Sequence, residues 1–125
     1  MSVITDLSVK DLTYLQQNMG NKIVVIKFSA NWCKPCKIIK PTWDLWMKTN
    51  TQPNIIYAEL DIDETMDLYV ALKSKKMVSG IPALLMYQGN IKRDHWFIPD
   101  ESFSGGDVEG FKLFINRCVL KAKNM

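Results

Sequence analysis

Between Ile23 and Phe28 the chain is apolar and largely β-branched, with Lys27 as the exception. Such a run predicts a central strand covered on both faces. After Ser29 comes Ala30-Asn31-Trp32-Cys33-Lys34-Pro35-Cys36-Lys37, and a helical stretch then runs to about Thr49. Cysteines three apart at a helix start share a face, so their sulfurs can close a small, reversible disulfide loop. A strand that ends in a reactive pair opening a helix is the strongest constraint the sequence offers.

The rest of the chain alternates helical and strand periods, with no internal repeat or low-complexity tract. Ser8 and Asp11 predict a helix start, Val9, Leu12, Leu15 and Met19 recur at helical spacing, and Gly20 supplies the stop, giving a first helix over Val9 to Met19. The helix after the cysteines is expected to bend at Pro41. Ile55 to Leu60 reads as a second buried strand, ended by Asp61 and Asp63, and Met66, Leu68, Tyr69 and Leu72 suit a third helix. This strand, helix, strand order implies a parallel crossover. Ala83 to Tyr87 and Ile91 to Phe97 are expected to pair as an antiparallel hairpin through Gln88-Gly89-Asn90, with the glycine supplying the turn conformation. Val108, Phe111, Phe114, Ile115, Cys118 and Val119 mark one face of a last helix, with Asp107 near its start and Lys121 and Lys123 at its end. The expected architecture is α/β, a central mixed sheet flanked by about four helices, in one domain over 1–125.

Composition narrows the function. Hydrophobic residues make up 47% of the 125, enough for a core and against intrinsic disorder. Sixteen basic and thirteen acidic residues are interspersed and leave a net charge of only +3, which argues against nucleic-acid or membrane partners. Met1 to Leu7 lacks the charged and apolar regions of a secretory signal, and no apolar run approaches ~18 residues; a soluble, cytoplasmic protein is the expectation. Three cysteines are too few for a disulfide-stapled scaffold, and close cysteines in a reducing compartment are more often catalytic or metal-binding.

The chemistry falls to Cys33 and Cys36. Unpaired amides and the dipole at a helix start favour a thiolate at Cys33, and the Lys34 cation adds to that preference, so Cys33 is the expected nucleophile at an exposed helix end. Cys36, one turn inside, is shielded and suits the resolving thiol that attacks the mixed disulfide.

Trp32-Cys33, Pro35-Cys36-Lys37, Pro41 and the later Gly80-Ile81-Pro82 before an apolar strand make the chain resemble the thioredoxin family over nearly its whole length. The resemblance implies reduction of protein disulfides by a monomer without a bound cofactor or metal, regenerated by a thioredoxin reductase or another dithiol donor. It also implies a cis Ile81–Pro82 bond, and a substrate edge formed by Trp32, Lys34, Pro35, Ile81, Pro82 and Gly105. Three departures stand out. Lys34 replaces the glycine of typical thioredoxins. The family's buried acid and its lysine appear with signs exchanged, as Lys27 and Glu59, for which a paired arrangement is expected, with Glu59 a candidate acceptor of the Cys36 proton and Lys27 its partner. The stretch from Arg93 to Ser104, with His95, Trp96, Phe97 and Phe103, is longer than the family's usual connection and is expected to bear on substrate choice.

Other readings compete. Lys34 would stabilise a reduced thiolate and suit a more oxidising enzyme or an isomerase. The fold could instead serve as a binding module with incidental redox turnover. The cysteine pair could be half a zinc site, although no second pair completes four ligands. His95 reads as a loop residue, Cys118 as a small buried hydrophobe, Trp43, Trp46, Phe111 and Phe114 as packing residues, and Asp61 and Asp63 as punctuation between strand and helix.

Overall fold

The computed structural model describes residues 2–125. Its elements run α1 (Val9–Asn18), β1 (Ile23–Ser29), α2 (Lys34–Thr49), β2 (Ile55–Asp61), α3 (Met66–Ser74), β3 (Ala83–Gln88), β4 (Glu101–Ser104) and α4 (Val108–Lys123). The sheet order is β2-β1-β3-β4. β1 runs parallel to β2 and antiparallel to β3, and β4 is antiparallel to β3. The mixed sheet with four helices agrees with the sequence expectation.

Local chemistry sets the element ends. The Ser8 hydroxyl accepts from the Asp11 amide and the Asp11 carboxylate from the Ser8 amide, both at 3.0 Å, a reciprocal cap that starts α1. Gly20, at φ +64°, turns the chain after it. α2 continues through Pro41 without interruption. Side chains on β1 alternate between two cores. Val24, Ile26 and Phe28 meet Leu12, Leu68 and Leu72 from α1 and α3, while Ile23 and Val25 meet Ile39 and Trp43 from α2 and Phe111 and Phe114 from α4. Lys27 falls by the same alternation on the α2 face.

One expected element is absent. Residues 91–97 form no strand, and β3 pairs instead with Glu101–Ser104. The Gln88 amide donates to Asp100 Oδ2 and the Gln88 carbonyl accepts from Arg93, which is itself paired with Asp100, so side chains take the backbone groups a ladder would need there. Trp96 and Phe97 turn onto the core beneath α1 and α3, and the Trp96 carbonyl accepts from Gln16 at 2.8 Å. The turn expectation is corrected as well: Asn90, at φ 59°, carries the left-handed conformation. Gly89 is small for another reason, since a Cβ there would collide with the Gly20 carbonyl. On the other side of the sheet Ile4 bridges to β2, its amide donating to Tyr57 O at 2.9 Å and its carbonyl accepting from the Glu59 amide at 2.8 Å.

Candidate redox site

β1 delivers the chain to the site end of the sheet, where Phe28 pairs with Ala83, and a short turn leads into α2. Cys33 caps α2, with the Cys36 amide donating to Cys33 Sγ at 3.3 Å. The two sulfurs lie at disulfide-bonding distance with Cα atoms 5.3 Å apart. A helix-start amide aimed at Sγ favours negative charge there when the pair is reduced.

The expected exposure of Cys33 is not observed. Cys33 and Cys36 are 5% and 6% exposed, and both pack with Ala30 against Ile62 and Ile81. The covering comes from the Gly80-Ile81-Pro82 loop, which places the Ile81 carbonyl oxygen 3.7 Å from Cys33 Sγ. The Ile81–Pro82 bond is cis, as the resemblance implied. The Pro82 carbonyl accepts from the Gly105 amide at 3.0 Å, and Gly106 packs so closely on Pro35 that a Cβ would sit 3.1 Å from the proline's own. Ile81 thus touches the cysteine pair directly, while Pro82 is tied to Gly105 and Pro35 to Gly106 at the same end of the sheet. Lys34 is the first residue of α2, and Trp32 stands beside Cys33 with 67% of its surface exposed.

Behind Cys36 the strands set the charged pair. Lys27 and Glu59 are register partners on β1 and β2, and their Nζ and Oε1 atoms are 3.9 Å apart. Lys27 is 5% exposed, so it does not carry its charge out to solvent. Burial holds its proton affinity below the ordinary lysine value, while the Glu59 charge pulls the other way. The ammonium also lies 5.1 Å from the centre of the Trp43 ring. Lys27, Glu59 and Cys36 line one cavity of about 380 Å³, joined by Lys37, Lys40 and Asp61.

Two participants were read from sequence only as punctuation and packing. Asp63 Oδ2 accepts from Trp32 Nε1 at 3.0 Å, and Trp43 Nε1 donates to Glu59 Oε1. The signal for both was the indole N–H, which seeks an acceptor. The aromatic insertion, by contrast, does not reach the cysteines with His95, Trp96 or Phe97. It leaves β3 where Gln88 pairs with Ile23, at the far end of the sheet, and only β4 returns toward Pro82. His95 stacks on Phe97 at 5.2 Å as a loop residue. Cys118 is fully buried against the α2 face of the sheet, its thiol pushed up to about 12 by burial.

The Thioredoxin family model matches residues 7–98. This chain belongs to the thioredoxin family. The thioredoxin of Ophiophagus hannah is 34% identical over 112 residues, covering 87% of this chain and 94% of its own length. The thioredoxin of Homo sapiens is 32% identical over 100 residues, covering 80% and 83%. Among solved structures, Malassezia sympodialis thioredoxin matches with a TM-score of 0.66 at 21% identity over 95% of this chain and 96% of that one. Fasciola hepatica thioredoxin gives 0.66 at 23% over 94% and 98%. With the cysteine pair at disulfide distance, membership makes the chain a thiol-disulfide oxidoreductase acting in protein disulfide reduction, with disulfide-bearing proteins and a reductase as its general classes of partner.

Proposed function

We propose that Cys33 attacks the substrate disulfide and Cys36 resolves the mixed disulfide, within a monomer working in the cytoplasm. The observation carrying this reading is the Cys36 amide directed at Cys33 Sγ from the helix start, which gives one sulfur a stabilised thiolate and leaves the other one turn inside. Lys34 adds a cation to the same end. Substrate chain lies along Trp32, Pro35, Ile81, Pro82 and Gly105, a reading supported by the Ile81 contact with the cysteines and the Pro82–Gly105 hydrogen bond beside it. A thioredoxin reductase or other dithiol donor returns the pair to the dithiol.

Glu59 receives the Cys36 proton, directly or through one water, and Lys27 keeps Glu59 oriented and tunes its hold on that proton. The shared cavity and the register pairing support this reading. The resulting thiolate attacks Cys33 Sγ, the bond from Cys33 to the substrate sulfur breaks, and the substrate leaves as a thiolate that takes a proton from water.

Trapping with a disulfide substrate such as insulin tests the assignment. Cys36→Ser should accumulate a covalent mixed disulfide through Cys33, and Cys33→Ser should accumulate none. A mixed disulfide through Cys36 in Cys33→Ser would reverse the two roles. For the pair, Lys27→Met and Glu59→Gln should slow mixed-disulfide decay non-additively, and parental decay in both would remove it from catalysis.

A further inference from the structure

We infer that Trp43 is a positioning residue for the resolving step, holding one oxygen of Glu59 so that the other is presented to Cys36. The inference rests on the reading of Glu59 as proton acceptor. Trp43 lies inside α2, fully buried, and its ring is fixed on three sides: stacked on Phe111 at 6.4 Å and edge-on to Trp46 and Tyr57 at 5.6 and 5.8 Å. A ring so confined has one orientation for its only polar atom, and Nε1 spends it on Glu59 Oε1. Lys27 Nζ approaches that same oxygen at 3.9 Å. Both contacts therefore fall on Oε1, neither engages Oε2, and Glu59 lines the cavity shared with Cys36.

Packing alone does not call for this arrangement. The Glu59 side chain is partly exposed and could meet its hydrogen-bonding needs with water, whereas Trp43 buries its N–H against a carboxylate that lines the route to the resolving sulfur. The indole serves two charges at once: its N–H holds the carboxylate, and its face lies below the Lys27 ammonium. Lys27 and Glu59 are thereby fixed relative to α2, the helix that carries Cys36. The step served is the transfer of the Cys36 S–H proton to Oε2, freeing the thiolate that displaces the substrate sulfur from Cys33. The other charges lining the cavity with Glu59 are Lys37 and Lys40 on α2, Asp61 on β2 and Lys27 on β1, and Lys40 is itself held by Asp44 at 2.9 Å.

The test is stopped-flow measurement of mixed-disulfide formation and decay across pH in the full chain, for Trp43→Phe, Glu59→Gln and the double variant. Trp43→Phe keeps an aromatic ring under Lys27 and removes only the donor. Decay should slow by roughly tenfold, the loss expected for a hydrogen bond to a charged group, and its pH midpoint should move upward. Cys33 attack should stay within about twofold of the parent, a control that general loosening of the core would not pass. In the double variant the two effects should not multiply. If Glu59→Gln slows decay and Trp43→Phe leaves its rate and pH midpoint unchanged, the positioning role is overturned while the acceptor role stands. If Glu59→Gln itself decays at the parental rate, the acceptor reading falls and the inference with it. Equal slowing of attack and decay in Trp43→Phe would make Trp43 a packing residue only.

Discussion

Trp32 Nε1 donates to Asp63 Oδ2 at 3.0 Å, tying the most exposed aromatic beside the redox pair to the turn that follows β2. Asp63 is itself steadied, since its amide donates to Asp61 Oδ1 at 2.9 Å. A large ring standing in solvent loses rotamer freedom when it meets a partner, and a hydrogen bond made beforehand reduces that loss.

Asp63→Ala should therefore weaken substrate capture and spare the chemistry. We expect the KM for a disulfide protein to rise about fivefold, corresponding to about 1 kcal/mol for one exchanged hydrogen bond, with kcat near parental. Steady-state insulin reduction measures both. A fall in kcat with KM unchanged would place the Trp32 contact in a later step.

The reduced protein should be alkylated at Cys33 near neutral pH, where a free thiol is mostly protonated. Lys34→Ala should slow that reaction by about two- to fivefold, the worth of one exposed charge at a helix start, leaving the Cys36 amide as the remaining support. Iodoacetamide rates followed by peptide mass spectrometry decide it, and an unchanged rate in Lys34→Ala would assign the effect to the helix alone.

Lys27 is held below the ordinary value of 10.5 by burial, with Glu59 opposing. Between the folded value and 10.5 the unfolded chain binds more protons, so stability rises with pH in that window: burying the charged lysine costs most at neutral pH, and the cost fades as it deprotonates. Glu59→Gln removes the compensating charge and should lose about 1–3 kcal/mol at neutral pH and less near pH 10. Lys27→Met should be at least as stable as the parent at neutral pH. Urea unfolding at both pH values checks this, and a Glu59→Gln loss independent of pH would break the link to Lys27.

Cys118 should resist alkylation in the native protein, being buried on the α4 face with its thiol pushed up to about 12. Cys118→Ser should cost about 1–3 kcal/mol, because a hydroxyl in that apolar setting lacks a partner. Labelling of Cys118 as fast as that of reduced Cys33 would show that α4 opens readily.

The strand, helix and cysteine order was legible because each rested on local pattern: Ile23 to Phe28 as a continuous apolar run, Ser8 with Asp11 as a cap, Cys33 and Cys36 at helical spacing. The Lys27–Glu59 contact was also legible, since parallel neighbours put the two residues in register. The misread strand at 91–97 had apolar residues in the right number, but Arg93 and Asp100, seven residues apart, close on Gln88 and divert the chain. Burial of Cys33 depends on Ile81, 48 residues away, and the roles of Asp63 and Trp43 depend on where an indole N–H finds its acceptor in space. Periodicity carries no information about such contacts.

The side chains that close on Gln88 have a bearing on how this protein behaves at high concentration. A sheet presents unsatisfied amides and carbonyls along its outermost strands, and those invite pairing with another copy. Here β4 is only four residues long, and where it ends Arg93 and Asp100 occupy the backbone groups of Gln88. At the opposite margin Ile4 occupies those beside Tyr57 and Glu59. Both margins are thus partly sealed by the chain itself, which leaves fewer free backbone groups for a second copy to pair with when the protein is crowded.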